Sequence, residues 1–463
     1  MGTIWPPTLA QSSGPKYLAL VHALREAIAA GELEPGQQLP PVRDLAWDLQ
    51  ITPGTVARAY RRATDDGLLD AAVGRGTFVA QSRNVLRNLN HDSLHLGASN
   101  LKMDLRGTKS PDLGQDAIIR ATLARIAASG VNDLADYPDP ARGHSTFAAI
   151  AQWLSYTDLQ PSADDIAITY GAQNAMLIAL QTLLIGPSPV IVADELVFPG
   201  LRHAANMLRA VIVSVERDDE GIIPDQLEQI CRKHGPQVLV SSFAVHSPTT
   251  QITTLQRRIT LSRIAAKYDL KIIDDDAFGI FSSDVPSMYS IAPERVWYIG
   301  ALSKSVSTGL RIGYLVTPPG FGEEARATVL SNCYGVSQII CDLATELITS
   351  GEAEAIRTRM LAYIDRRAKI AANVLGQWRL NWHPKVPFVW LYMPSGWRSS
   401  SFQRACELQN VLVRPADEFA LIDGKAPNAA RITFGSKLTD EEFEAALHTI
   451  AGILQSPPAV NQS

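Results

Sequence analysis

Residues 296–317 read VWYIGALSKSVSTGLRIGYLVT. The β-branched and aromatic run up to Ile299 has the composition of a buried strand. A Gly/Ser-rich turn then presents Lys304 beside Ser303, and a second apolar run starts at Ile312, directly after Arg311. Most lysines sit exposed on loops. A lysine fixed between two core strands is costly unless it has chemistry to perform, because burial disfavours the ammonium and lowers its pKa. A neutral amine on a rigid turn can form a Schiff base with an aldehyde. Arg311 would stand where a guanidinium fork can clamp a phosphate.

With strands on both sides and Gly-Leu-Arg-Ile-Gly following, this stretch resembles the cofactor-lysine segment of the fold-type I enzymes of pyridoxal 5′-phosphate (PLP), the aspartate aminotransferase superfamily. The resemblance implies that Lys304 takes the aldehyde of PLP and that Ser303 and Arg311 lie at the cofactor.

Strands and helices alternate along the surrounding chain. Strands are expected near Ile166 to Tyr170, Val190 to Ala193, Val211 to Val215, Val238 to Ser242, Leu270 to Asp274, Val296 to Ile299 and Ile312 to Val316. This pattern predicts an α/β domain with a mostly parallel sheet and ligands at the carboxyl ends of its strands. In IAITYGAQNAM, Gly171 ends a strand and Ala172 and Gln173 open a helix, whose free N–H groups make an anion site. In IIDDDAFGIF, three carboxylates at the end of an apolar strand repel one another, so one of them facing a protonated ring nitrogen would gain a charge-assisted bond.

The resemblance makes Asp275 that residue. It also implies that Phe198, in VADELVFPGLRHAA, stacks on the cofactor ring. From ADYPDPARGHSTF it implies that Tyr137 reaches the phosphate of the neighbouring subunit's cofactor. From ARITF near the end it implies that Arg431 binds a substrate carboxylate. Three positions depart from the family pattern. Ser247 stands before Pro248 where an asparagine is usual, Ala277 and Phe278 offer no hydroxyl where a tyrosine is usual, and Ala301 replaces a Ser or Thr. Losing hydrogen bonds to the cofactor's phenolic oxygen, each worth about 1 kcal/mol, suits a site that binds PLP but turns over poorly.

The first eighty residues have a different character. Apolar positions at helical spacing (Leu18, Val21, Leu24, Ile28) end at Gly31, a second helix is expected from about Pro41 to Leu49, and Thr52 and Pro53 cap a third. LLDAAVGRGTFVA reads as two short strands around a turn, a wing. A helix-turn-helix with a wing would place Thr55, Arg58, Arg61 and Arg62 toward a DNA major groove, with Arg43 and the wing's Arg75 and Gly76 at the backbone or groove edge. An arginine cluster is also what a solvated helix face looks like. Seven basic side chains against eight acidic ones up to Ala80 leave the module without a global positive field, so affinity for DNA must come from a local patch. The stretches GELEPGQQLPPVRDLAWDLQITPGTVARAY and DDGLLDAAVGRGTFV resemble the winged helix-turn-helix of GntR-type bacterial regulators. Pro41 and Pro53 are departures, the latter replacing an arginine.

At 463 residues the chain calls for more than one domain. Its apolar share of 46% and charged share of 19% are those of an ordinary globular protein, and a net charge of −5 argues for neither nucleic acid nor membrane as a global partner. Cys231, Cys333, Cys341 and Cys406 are widely spaced, which suggests a reducing compartment and no metal site. The apolar stretch from Ala175 is about half of the roughly 20 residues that span a bilayer. No membrane association and a cytoplasmic location are expected.

In order, then, come residues 12–80 as a winged helix-turn-helix, 81–102 as a polar linker, and 103–455 as an aminotransferase-like domain with a smaller C-terminal α+β subdomain. This order resembles the MocR subfamily of transcription regulators. The resemblance implies a homodimer that binds double-stranded operator DNA and senses PLP, an amine or an amino acid. Two alternatives remain: an active PLP aminotransferase with a vestigial DNA-binding domain, and a cofactor-free regulator using the large domain only to dimerise.

Overall fold

The computed structural model describes residues 16–34, 36–65, 68–72, 76–79, 103–129, 137, 140–278, 285–421, 426–435 and 437–456. The chain divides into two units, residues 1–97 and 98–463. The linker expected over 81–102 and Arg75 of the wing lie outside the described residues.

In the first unit, α1 (Lys16–Ala30), α2 (Val42–Asp48) and α3 (Pro53–Asp65) are followed by the antiparallel pair β1 (Leu69–Ala72) and β2 (Gly76–Val79). Gly31 ends α1 in the left-handed region (φ 75°), and the N–H groups of Glu32 and Leu33 turn back to the Ala27 carbonyl. Thr52 caps α3, its hydroxyl accepting from the Thr55 N–H at 3.3 Å. The three helices bury one apolar stripe each, with Leu20, Leu24, Leu45, Val56 and Ala59 fully enclosed, and Leu69 of β1 joins the same core. Tyr60 closes this core, and its hydroxyl donates to the Pro40 carbonyl at 2.9 Å.

The second unit begins at β3 (Met103–Asp104) and is built on a seven-stranded sheet. Its strands in chain order are β4 (Ile166–Thr169), β5 (Val190–Asp194), β6 (Val211–Val215), β9 (Val238–Ser241), β10 (Lys271–Asp275), β11 (Val296–Ala301) and β12 (Gly313–Val316). A short hairpin of β7 (Arg217–Asp218) and β8 (Gly221–Ile222) interrupts them. The spatial order is β4-β12-β11-β10-β9-β5-β6, and β12 alone runs antiparallel to its neighbours. Apolar clusters cover both faces, which is why these strands read as continuous apolar runs rather than as alternation. All seven strands anticipated from the sequence are present.

A long helix, Glu352–Leu375, leads into an antiparallel sheet of order β13-β14-β17-β16, formed by Leu380–Asn381, Phe388–Tyr392, Ala429–Thr433 and Arg414–Pro415. Helices Ser399–Leu408 and Asp440–Gln455 complete this α+β part, and β15 (Val411–Leu412) pairs in parallel with β3. The start of the second unit is therefore fixed to its C-terminal part.

Candidate functional site

Strand β11 is buried along its whole length. After it the chain turns tightly: the N–H groups of Val306 and Ser307 both reach the Leu302 carbonyl, at 2.9 and 3.1 Å. Lys304 stands on this turn, half-buried, and lines a cavity. Burial first, then the positive charges of Arg431 and Arg311, push its pKa down to about 7. An amine that is half neutral at pH 7 is a competent nucleophile. Its Nζ donates to the main-chain carbonyl of Thr108. Ser303 is buried, and its carbonyl accepts from the hydroxyls of Ser110 and Thr308, at 2.7 and 3.1 Å.

The three consecutive aspartates separate by strand alternation. Asp274 accepts from the Phe243 N–H at 3.3 Å, and Asp276 accepts from the Tyr298 hydroxyl at 2.9 Å. Asp275 lies between them on the opposite face, and its Oδ1 is buried without a hydrogen-bond partner. Burial and the adjacent Asp276 push its pKa up to about 7. A buried carboxylate oxygen left unsatisfied is expensive, so this position calls for an N–H donor that carries positive charge.

Next to Lys304 and Asp275 along the same sheet edge lies the turn after β4. Gly171 adopts φ 85° and starts the helix Ala172–Leu183, so the first N–H groups of Ala172 and Gln173 have no helical acceptor. The Arg311 guanidinium lies against Gly171: a Cβ added there would come within 2.7 Å of Nη2. Arg311 also donates to the Tyr170 carbonyl at 3.2 Å. Helix-start amides and a guanidinium on one turn form an anion cradle. The Gln173 amide is engaged elsewhere, donating to the Gly200 carbonyl at 3.0 Å, so its contribution to the cradle is its main-chain N–H. Phe198, after β5, is 38% exposed and packs its ring edge on Gly200.

Arg431, on β17, is buried. Its Nη1 donates to Ser247 Oγ at 3.2 Å and its Nη2 to the Arg106 carbonyl at 3.0 Å, while Nε has no partner. Phe388 and Phe419 flank the guanidinium, 5.3 and 4.7 Å from their ring centres. Burial, followed by the charge of Arg414, pushes its pKa down to about 9. Among the described residues no carboxylate lies within ion-pair distance of Arg431, and only the more distant Glu418 offsets its charge, so the guanidinium can accept an anion.

Tyr137 does not join this cluster within the chain. It stands 73% exposed, with its ring stacked on Tyr334 at 5.2 Å. Of the departures read from the sequence, Ala277 and Phe278 join an apolar wall with Val245, Val386 and Phe388, the Phe278 ring lying edge-on to Phe388 at 5.3 Å; Ala301 is buried in β11, and Ser247 accepts from Arg431. Thr108, Arg106 and the Tyr298–Asp276 pair escaped the sequence reading. The first two act through main-chain carbonyls, which no residue type announces. Among the described residues no cluster of His, Cys, Asp or Glu is arranged to hold a metal, and no helix is long and apolar enough to cross a membrane.

In the first unit, Arg43 and Arg61 are exposed, Thr55 is half-buried with its hydroxyl on Thr52 at 2.9 Å, and Gly76 is exposed at the start of β2. Arg58 is exposed but braced, its guanidinium 4.1 Å above the Tyr17 ring of α1. Arg62 is half-buried with Nε enclosed, so it is less available than Arg58 and Arg61. Trp47, one turn after Arg43 on α2, is 85% exposed; the i, i+4 spacing of the pair was the available signal.

Residues 102–450 match the aminotransferase class I and II family, and residues 16–79 match the bacterial regulatory proteins of the gntR family. The uncharacterized HTH-type transcriptional regulator YdeF of Bacillus subtilis is 27% identical over 460 residues, covering 97% of this chain and 96% of YdeF. The vitamin B6 salvage pathway transcriptional repressor PtsJ of Salmonella typhimurium is 27% identical over 431 residues, covering 91% and 94%. Among solved structures, an archaeal alanine:glyoxylate aminotransferase superposes with a TM-score of 0.70 at 24% identity, over 80% of this chain and 95% of that one.

Proposed function

We propose that this chain, which belongs to the aminotransferase class I and II family and carries a gntR-family domain at residues 16–79, is a transcription regulator of the MocR type: it binds operator DNA through that domain and responds to PLP, or to an amine or amino acid, through the second unit. The observation that carries the reading is the unbroken alignment of both domains, in this order, with a transcriptional regulator over 97% of the chain. PtsJ, a repressor named for vitamin B6 salvage, is similar over the same two domains.

The residues fit PLP. When bound, it supplies an aldehyde and an electron-withdrawing ring. Lys304 offers the amine. The unpartnered Oδ1 of Asp275 holds a proton on the ring nitrogen, and the Ala172 and Gln173 amides with Arg311 hold the phosphate. Phe198 provides a face for the ring, Ser303 fixes the turn that aims the lysine, and Arg431 with Ser247 receives an effector carboxylate. In this reading the functional unit is a cytoplasmic homodimer in which Tyr137 serves the neighbouring site. Response requires that the ligand bind the two DNA-affinity states unequally.

A gel shift on the region upstream of the protein's own gene, with and without PLP, tests the proposal. A retained band whose affinity changes with PLP supports it; no retention under either condition overturns it. The intact Lys304, Asp275 and Arg311 set favours a second reading, an active aminotransferase, which steady turnover of an amino donor without DNA retention would establish. The apolar Ala277 and Phe278 wall weighs against it.

A further inference from the structure

Between β3 and the helix Gln115–Ser129 the chain runs directly over the site. Two of its carbonyls occupy the groups that define that site: Thr108 O accepts from Lys304 Nζ, and Arg106 O accepts from Arg431 Nη2 at 3.0 Å. The stretch is held further by side chains outside the cofactor set. Thr433 Oγ1 donates to the Gly107 carbonyl at 3.1 Å, the Ser110 N–H donates to Thr308 Oγ1 at 3.0 Å, and Ser110 Oγ donates to the Ser303 carbonyl at 2.7 Å. Residues 107–111 also line a cavity together with Lys304, Met360, Tyr363, Ile364 and Phe434, so this stretch is not packed tightly on every side.

We propose that residues 106–110 form a strap seated on the positions a ligand needs, and that ligand entry detaches it and thereby loosens β3. The inference rests on the PLP-site reading above. Condensation of Lys304 with an aldehyde would form a C=N bond at Nζ, the aldehyde oxygen leaving as water with both amine hydrogens. The unprotonated imine nitrogen would then have none left for Thr108 O. A carboxylate that pairs with both Nη groups of Arg431 likewise displaces Arg106 O. Either event strands a carbonyl that must find another donor or move.

The shift has a defined route. The Arg106 guanidinium grips Asp104 of β3 with two bonds, Nε to Oδ1 at 3.0 Å and Nη2 to Oδ2 at 3.1 Å. β3 is only two residues long and pairs with β15 alone. In sequence it follows residues 81–102, and among the described residues β3 is the first element of the second unit.

The test is amide hydrogen exchange across 103–110 in the full-length protein, read with PLP, with PLP plus L-alanine, and without either. Exchange should quicken several-fold with PLP and again with L-alanine. Thr433→Val, which loosens the strap at Gly107 while leaving Lys304, the Ser303 turn, Asp275 and Arg431 in place, should quicken exchange in the ligand-free protein. It should also bind PLP about fivefold more tightly, because less of the binding is spent on detachment. Exchange at 103–110 that is unchanged or slower when PLP absorbance confirms uptake overturns the strap but not the PLP site, as does weaker PLP binding by Thr433→Val. No PLP uptake by the wild type overturns both.

Discussion

The Cα of Gly313 lies on the backbone of Gly171, so closely that a Cβ at position 313 would stand 2.4 Å from the Gly171 carbonyl carbon. This contact joins the start of β12 to the turn after β4 and lets Arg311 lie over the start of the helix Ala172–Leu183. Gly313→Ala should therefore do two things. It should lower stability by roughly 1–3 kcal/mol through forced backbone displacement, and it should weaken PLP binding by spreading the anion cradle. Thermal unfolding and PLP titration of the variant check both; an unchanged PLP affinity would disconnect this contact from the cradle.

Lys304→Ala should abolish the visible absorbance of covalently held PLP, while Arg311 and the Ala172 turn still retain some cofactor. In the wild type the rate of PLP capture should rise with pH through about 7, because the amine is protonated below that value and free above it. A capture rate that stays flat from pH 6 to 8 would mean the nitrogen is not held as described.

Asp275 gives a stability prediction with a definite sign. Its folded pKa, about 7, lies above the ordinary carboxylate value of 3.8, so between these values the folded state binds more protons than the unfolded one and stability falls as pH rises. Asp275→Asn removes that cost. The ligand-free variant should melt higher than the wild type at pH 8, by an amount on the order of 1–3 kcal/mol, and the gain should vanish near pH 4. Its PLP affinity should nevertheless drop, since the ring nitrogen loses its counter-charge. A variant less stable than the wild type at pH 8 without PLP would contradict the orphaned carboxylate.

On α3, Arg58→Ala and Arg61→Ala should each weaken operator binding by roughly 1–3 kcal/mol. The two differ in one respect. Arg58 is braced on Tyr17, so Tyr17→Leu should reproduce part of the Arg58 effect without removing a charge, whereas among the described residues no ring stacks on Arg61. Gel-shift titration of the three variants separates these roles, and equal affinity for all three and the wild type would exclude this helix from DNA reading.

For assembly, the stacked and largely exposed Tyr137 and Tyr334 mark a surface that a second copy should cover. Sedimentation should give a dimer at micromolar concentration with PLP present, and Tyr137→Ala should weaken both dimer and PLP uptake. A protein that remains monomeric under these conditions would remove the shared site.

The sheet was legible in the sequence because its strands other than the edge strand β6 are almost wholly buried on both faces and therefore read as uninterrupted apolar runs closed by a turn. Lys304 was legible for the same reason, being a charge between two such runs. The choice among Asp274, Asp275 and Asp276 was taken from resemblance; the alternation of strand side chains supplies the physical ground, since it leaves one of the three without a donor. The contact of Thr108 with Lys304 was not legible, because a main-chain carbonyl is available from every residue type. Nor was the brace of Tyr17 under Arg58, which joins two helices and follows from how they pack rather than from the spacing within either.

The antiparallel strand β12 bears on the order in which the molecule is made. Its partner β4 left the ribosome far earlier: Thr169 pairs with Gly313, and Arg431 comes later still. A nascent chain thus contains the helix start that would hold the phosphate long before it contains Arg311, and no truncated intermediate can assemble the whole site. Closing so long a loop is slow relative to local helix formation. If the site takes PLP as proposed, loading would consequently be confined to chains synthesised through Arg431, so that the cofactor would report only completed molecules.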